Sequence, residues 1–183
     1  PVMQTRSDEE YYLMRGLDKQ YNPHGVPFLS ARSEMEGQGG NRLIYGHIIH
    51  NKTRDIVCDL AGYEDLAFYQ EHPIIETVSE SGTRQWLIFA YYLVDNADDE
   101  PFKYSDTVDF LSMAAYTAYM DEVEERNWLC VPYEHSIDDT YLTLSSCSNE
   151  LAGSGTNRMV VMAVQIPYGL DISAQVADTV MAE

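Results

Sequence analysis

Basic residues are scarce in this chain: eleven Lys and Arg stand against thirty Asp and Glu, giving a net charge of −19 over 183 residues. Such a surface repels phosphate backbones and anionic headgroups alike, which argues against a nucleic-acid partner. It gathers cations instead, ammonium groups included, although a solvating acidic shell accounts for the same charge without any ligand. Long hydrophobic runs are also missing. The longest nearly unbroken apolar stretch, Trp86 to Val94, is far short of the roughly 20 residues a membrane helix needs. The sequence starts at Pro1 without an initiator methionine, so an upstream signal or anchor is compatible with it. Cysteine is rare as well. Three residues, Cys58, Cys130 and Cys147, permit at most one disulfide and leave at least one thiol free, so no disulfide scaffold holds the fold.

What is present suits one packed domain. The hydrophobic fraction is 45%, and a chain of this length buries roughly 70% of its unfolded surface on folding. Segments 42–49, 55–60, 74–79, 84–94, 141–146 and 158–166 are rich in β-branched and aromatic residues and bounded by Gly, Asn, Asp or Pro, which predicts strands. Between them Ser105 is placed to cap a helix running to about residue 126, with Val108, Leu111, Ala115, Tyr119 and Val123 at helical spacing. A shorter helix is expected over 61–72, and Ser7 with Glu10 has capping-box spacing for a helical turn. The glycine-rich stretches 36–40 and 153–155 read as loops, since neither opens a helix after a strand.

Chemistry centres on Cys147, at the end of the alternating segment "YLTLSSC" where a strand gives way to a loop. Cys58 and Cys130, flanked by apolar residues, are expected to be small buried groups. A thiol near its ordinary pKa is only a few per cent thiolate at neutral pH, so a nucleophile needs a base. His24, His72 and His135 lie in turn-like or polar stretches and are expected to be solvated. His47 and His50 share "YGHIIH", but a strand puts residues three apart on opposite faces, which disfavours a metal pair. Gly46 beside His47 suggests close backbone approach, as at a site.

"LTLSSC" followed by Arg158 on an apolar strand, with "YGH" far upstream, resembles the sortases, cysteine transpeptidases of Gram-positive cell surfaces. "PVMQT", "YYL", "GVPFL", "YGHII", "FYQEHP" and "RMVVMAVQI" occur in the order and spacing of class B sortases over nearly the whole chain. The resemblance implies a mostly-β fold: a closed eight-stranded barrel with an inserted amphipathic helix and short flanking helices. Because an amphipathic helix inserted in a barrel buries one face and can offer its end to ligand, the helix over 105–126 is expected to wall one side of the peptide groove. The resemblance also implies a catalytic domain over 1–166, preceded in the family by a helix and a membrane anchor or signal, and a C-terminal extension over 167–183 without an assigned role, flexible or loosely helical. Carried over by position, Cys147 is the nucleophile, His47 the general acid and base, and Arg158 the group beside the substrate carbonyl, with Tyr45 and Ser145 near the substrate groove. No cofactor or metal is implied.

The partners implied are surface proteins or pilins bearing a C-terminal sorting signal of Asn-Pro-x-Thr type, and an amine acceptor on a peptidoglycan precursor or a pilin lysine. The location implied is the outer face of the cell membrane. Ile48 stands where the family often has a polar residue, Ser146 where Thr is usual, and Ser148 where an acidic residue is frequent; these departures bear on groove polarity and motif. Two alternatives share parts of the pattern. A hydrolytic cysteine peptidase needs the same Cys and His without amine dependence, and a non-catalytic acidic surface-binding domain keeps the barrel but not the chemistry.

Overall fold

A computed structural model describes residues 1–47, 58–95, 101–147 and 157–182, apart from the side chains of Cys58, Cys147 and Asn157. Its strands are β1 (Phe28–Leu29), β2 (Asn41–His47), β3 (Ile74–Ser79), β4 (Gly82–Asp95), β5 (Leu129–Cys130), β6 (Tyr141–Cys147), β7 (Asn157–Ile166) and β8 (Val180–Met181). The helices are α1 (Leu66–Glu71), α2 (Met113–Arg126) and α3 (Ser173–Asp178), with a 3-10 helix over Cys58–Glu64. The mostly-β expectation holds. Eight strands lie among the described residues, but they divide into a curled six-stranded sheet, ordered β1-β2-β6-β7-β4-β3, and a separate β5–β8 pair. Among the described residues no ladder joins β1 to β3, so the sheet is a half-barrel rather than the expected closed barrel.

Both faces of this sheet are buried, which is why its central strands read as nearly continuous apolar runs. One face carries Leu43, Tyr92, Val160, Met162 and Val164, covered by Tyr116, Tyr119 and Val123 of α2 and by Phe102 and Tyr104. The other carries Ile44, Trp86, Ile88, Tyr91, Met159 and Val161, packed with Leu60, Tyr63 and Tyr69. A register shift between Ile88 and Ala90 changes the parity of β4, so that Leu87 and Phe89 before it and Ala90, Tyr92 and Val94 after it all pack in the cluster under α2. Trp86 is fully buried and donates from Nε1 to Thr77 Oγ1 at 2.8 Å, so truncating it would cost about 3–5 kcal/mol.

Several local expectations are corrected. The main helix begins at Met113, where Ser112 accepts from Ala115 N at 3.2 Å, and not at Ser105. Residues before it are committed elsewhere: the carbonyl of Val108 accepts from Asn41 N at 2.6 Å, and that of Ser105 from Arg32 Nη2 at 2.6 Å. The buried face of α2 is therefore Tyr116, Tyr119 and Val123, while Leu111 is 91% exposed. Of the strand expected over 55–60, residues 58–60 open the 3-10 helix and the remainder lie outside the described residues. The helix expected over 61–72 is split at Asp65, whose carboxylate accepts from Ala67 N at 2.8 Å and caps α1. Segment 8–14 forms turns, with Tyr11 N donating to Asp8 O and Leu13 N to Glu10 O. Nor is the C-terminal segment merely loose: α3 leads into β8, which pairs with β5, and Thr179 and Ile172 are buried.

Candidate active site

Register brings the predicted residues together. Across β2, β6 and β7 the rows run Leu43, Thr143, Met162; then Tyr45, Ser145, Val160; then His47, Cys147, Arg158 at the rim. Neighbouring strands lie about 4.8 Å apart, so the Cys147 backbone has His47 on one side and Arg158 on the other at roughly that distance. Three residues far apart in sequence thus occupy one row because β2 pairs parallel with β6 and β6 antiparallel with β7.

A cavity of ≈ 350 Å³ opens over this end of the sheet, with Tyr45, His47, Ser145 and Arg158 all contributing to its lining. Its floor is β2, β6 and β7. One wall comes from the N-terminal segment through Glu9, Glu10 and Leu13, and Arg32, Tyr104 and Ser105 also line it. No residue of α2 lines the cavity, so the expected helical wall is supplied by the segment preceding the helix. The helix acts at one remove: Tyr119 donates to the carbonyl of Tyr104 at 3.1 Å.

The wall orients the histidine. His47 Nε2 lies 2.8 Å from the carbonyl of Leu13; a carbonyl only accepts, so Nε2 carries a hydrogen and a neutral ring has its acceptor at Nδ1. Ser145 is 1% exposed and its hydroxyl is 2.7 Å from that of Tyr104. Burial raises the Tyr45 phenol above the ordinary tyrosine range, with Tyr104 and Glu9 adding to the effect. Tyr45 therefore stays a neutral hydroxyl against Phe28, 5.3 Å away between ring centroids.

Glu9, Leu13, Arg32 and Tyr104 went unnoticed in the sequence. They lie in turns and loops, where neither periodicity nor residue type marks them; only "YYL", around Leu13, carried any signal. Two other expectations fail outside the cavity. Cys130 is exposed, since in the two-residue strand β5 it is Leu129 that turns inward. His135 is half-buried rather than freely solvated: burial lowers its pKa, its Nδ1 lies 2.8 Å from the Tyr116 hydroxyl, and it packs on Phe89. Ile48, His50 and Ser148 lie outside the described residues, as does the side chain of Cys58.

No family model matches the chain. Sortase B of Staphylococcus aureus is 28% identical over 163 residues, 89% of this chain and 63% of that protein. Sortase B of Listeria monocytogenes is 27% identical over 150 residues, 82% of this chain and 58% of that protein. The chain thus spans about three fifths of the length of these curated relatives. Among solved structures, a substrate complex of Staphylococcus aureus sortase B superposes with a TM-score of 0.78 at 26% identity, covering 92% of this chain and 74% of that one. Over most of its length the chain is similar in sequence, and alike in fold, to class B sortases.

Proposed function

We propose that the chain is the catalytic part of a sortase-type cysteine transpeptidase that joins the carboxyl of a Thr in a sorting signal to an amine. The observation that carries this reading is the row His47, Cys147, Arg158 across three adjacent strands, at the rim of a cavity. In the first half-reaction the Cys147 thiolate attacks the Thr carbonyl, and the developing oxyanion is met by the Arg158 guanidinium. The tetrahedral adduct collapses by breaking the C–N bond; the leaving nitrogen takes a proton from His47, and the acyl group remains as a thioester. In the second half-reaction an amine attacks that thioester, gives its proton to His47, and expels Cys147 as thiolate with formation of a new amide.

The sorting signal is of Asn-Pro-x-Thr type by similarity, the donor a surface protein or pilin, and the acceptor an amine of a peptidoglycan precursor or a pilin lysine. Such a reaction belongs at the outer face of the cell membrane, with an N-terminal segment as the tether. The test is incubation with signal peptides in the presence of glycine, diaminopimelate or lysine nucleophiles, followed by mass spectrometry. A Cys147 thioester and an amine-dependent amide product support the reading. Release of free acid at a rate indifferent to amine makes the protein a hydrolytic peptidase, and no acyl-enzyme with any peptide refutes acyl transfer.

A further inference from the structure

A second cavity, of ≈ 570 Å³, lies between α2, β5 and the loop around His135, and it shares no lining residue with the one over the Cys147 row. Its walls are apolar, formed by Phe89, Met120, Val123, Leu129 and Val131. The C-terminal segment closes one side through Ala182, whose N–H donates to the Trp128 carbonyl at 3.0 Å. Apart from the Cys130 thiol, the polar side chains that reach it are Glu124 of α2, Asn127 and His135. The Asn127 amide is spent on the backbone: Oδ1 accepts from Tyr91 N and Leu129 N, both at 3.0 Å, and Nδ2 donates to the carbonyls of Phe89 and Leu129 at 3.1 and 2.6 Å. That leaves the imidazole and the carboxylate.

A chain of hydroxyls fixes what the imidazole presents. Tyr141 donates its hydrogen to the Ser136 carbonyl at 2.6 Å, so across the 3.0 Å between the two phenols it is Tyr116 that donates. With that hydrogen used, the Tyr116 oxygen accepts from His135 Nδ1, 2.8 Å away. Burial lowers the His135 pKa against the pull of Asp139 and Glu124, which keeps the ring neutral. A neutral ring with its hydrogen on Nδ1 has a bare lone pair at Nε2, and no donor among the described residues meets it. The Asp139 carboxylate is occupied by Ser136 N and Oγ, at 2.7 and 3.1 Å. That of Glu124, near enough to act on His135, makes no hydrogen bond or salt bridge among the described residues. Neither Lys nor Arg lines the cavity. We propose that this cavity is a second binding site, separate from the Cys147 row, for a small organic ammonium whose apolar body fills the space while its N–H groups donate to His135 Nε2 and the Glu124 carboxylate. Water could satisfy these acceptors but not the apolar walls, and a neutral alcohol could cover the walls but gives the carboxylate a bond about half as strong as a charge-assisted one. The net charge of −19 draws cations toward the surface in any case.

The test titrates phenethylammonium into the wild-type chain by isothermal calorimetry with no signal peptide present, so that no acyl transfer enters the measurement. Phenethyl alcohol and ethylammonium are the matched compounds, one lacking the charge and the other the ring, and each is expected to bind about tenfold or more weakly. Glu124→Gln, on the exposed side of α2, should weaken phenethylammonium by roughly tenfold, the value of one hydrogen bond to a charged group. His135→Phe keeps a ring against Phe89 and removes the lone pair, and should weaken it as well; if that variant does not fold, Glu124→Gln decides alone. Cys130 lines the same cavity and is exposed, so bound probe should slow its alkylation by iodoacetamide severalfold and leave that of Cys147 unchanged, as located by tandem mass spectrometry. Equal affinity for either matched compound, or an affinity indifferent to Glu124→Gln, overturns the proposal. Protection of Cys147 in place of Cys130 also overturns it, by seating the probe in the cavity of Glu9 and Glu10. So does the absence of both heat and protection.

Discussion

His47, Ser145 and Arg158 reach the cavity from strands whose ladders run in unbroken register from residue 141 to 147, in a sheet buried on both faces. Glu9, Glu10 and Leu13 reach it from a segment of turns, held by contacts such as Val26 N to Tyr12 O at 3.2 Å and Ser30 to Glu9 at 2.6 Å. Shifting the floor means breaking the core, whereas shifting the wall means breaking a few hydrogen bonds, each worth about 0.5–1.5 kcal/mol. The difference assigns labour. Groups that must keep sub-ångström geometry through bond making and breaking belong on the floor, and groups that orient or select belong on the wall. Substitutions on the floor should therefore abolish chemistry, while those on the wall should grade it.

The largest effect is expected on the floor. Cys147→Ala should remove thioester and amide product altogether, with circular dichroism unchanged, while Cys130→Ala, altering an exposed thiol on a strand outside the main sheet, should leave the rate as it was. Activity surviving the first change and lost with the second would move the nucleophile to Cys130. Next come the flanking positions of the row. His47→Ala should slow acylation by about 10²–10⁴, and Arg158→Lys by about 10²–10³, because an ammonium keeps the charge but not the two parallel donors of a guanidinium. Single-turnover acylation measures both, and a near wild-type rate for Arg158→Lys would reduce that residue to a strand-end charge.

These floor positions are also the ones legible in the sequence. "YLTLSSC", "YGH" and the apolar segment after Arg158 read as strands because two-sided burial selects β-branched and aromatic residues, and the structure has β2, β6 and β7 there. Pairing is what the sequence does not carry: that His47 falls opposite Cys147 depends on a parallel ladder between segments about a hundred residues apart. Helical periodicity misplaced the start of α2 because Val108 and Leu111 continue the pattern by residue type while their backbone is used differently. The wall left still less trace. Leu13 acts through its main-chain carbonyl, 2.8 Å from His47 Nε2, and no residue type announces that.

Wall and floor meet at the carbonyl of Leu13, and Gly25 is the residue that lets it sit there. Gly25 has φ +55, and a Cβ at that position would come within 2.3 Å of Leu13 O and 2.6 Å of Tyr12 O, both backbone atoms that cannot swing aside. Gly25→Ala should push Leu13 away from His47 Nε2, now 2.8 Å distant, and lower kcat/KM roughly tenfold, the value of one hydrogen bond of about 1.4 kcal/mol. Gly169→Ala is the matched comparison: its φ is +77 but nothing lies within 4 Å. Both variants should lose some thermal stability, and only Gly25→Ala should lose activity. Equal activity in the two would separate the wall from the histidine.

The smallest effect is expected where a loop touches the floor without touching the row. Tyr104 holds the buried Ser145 hydroxyl at 2.7 Å, two residues before Cys147, and Tyr119 of α2 holds the Tyr104 carbonyl at 3.1 Å. Tyr104→Phe keeps the ring and that carbonyl, so the loop stays in place, but it deprives Ser145, 1% exposed, of the hydroxyl that now engages it. Leaving such a group without that partner costs about 1–3 kcal/mol of stability. The effect on acylation should be only a few-fold, since the row of His47, Cys147 and Arg158 is set by the ladders and not by this bond. Ser145→Ala provides the control. If the bond is what matters, Tyr104→Phe introduced on top of Ser145→Ala should cost markedly less stability than it does in wild type, and chemical denaturation of the four proteins measures the difference. A full, additive loss would mean that the Tyr104 hydroxyl works through another neighbour. An acylation defect as large as that of Arg158→Lys would erase the distinction between a floor that performs the chemistry and the loops that surround it.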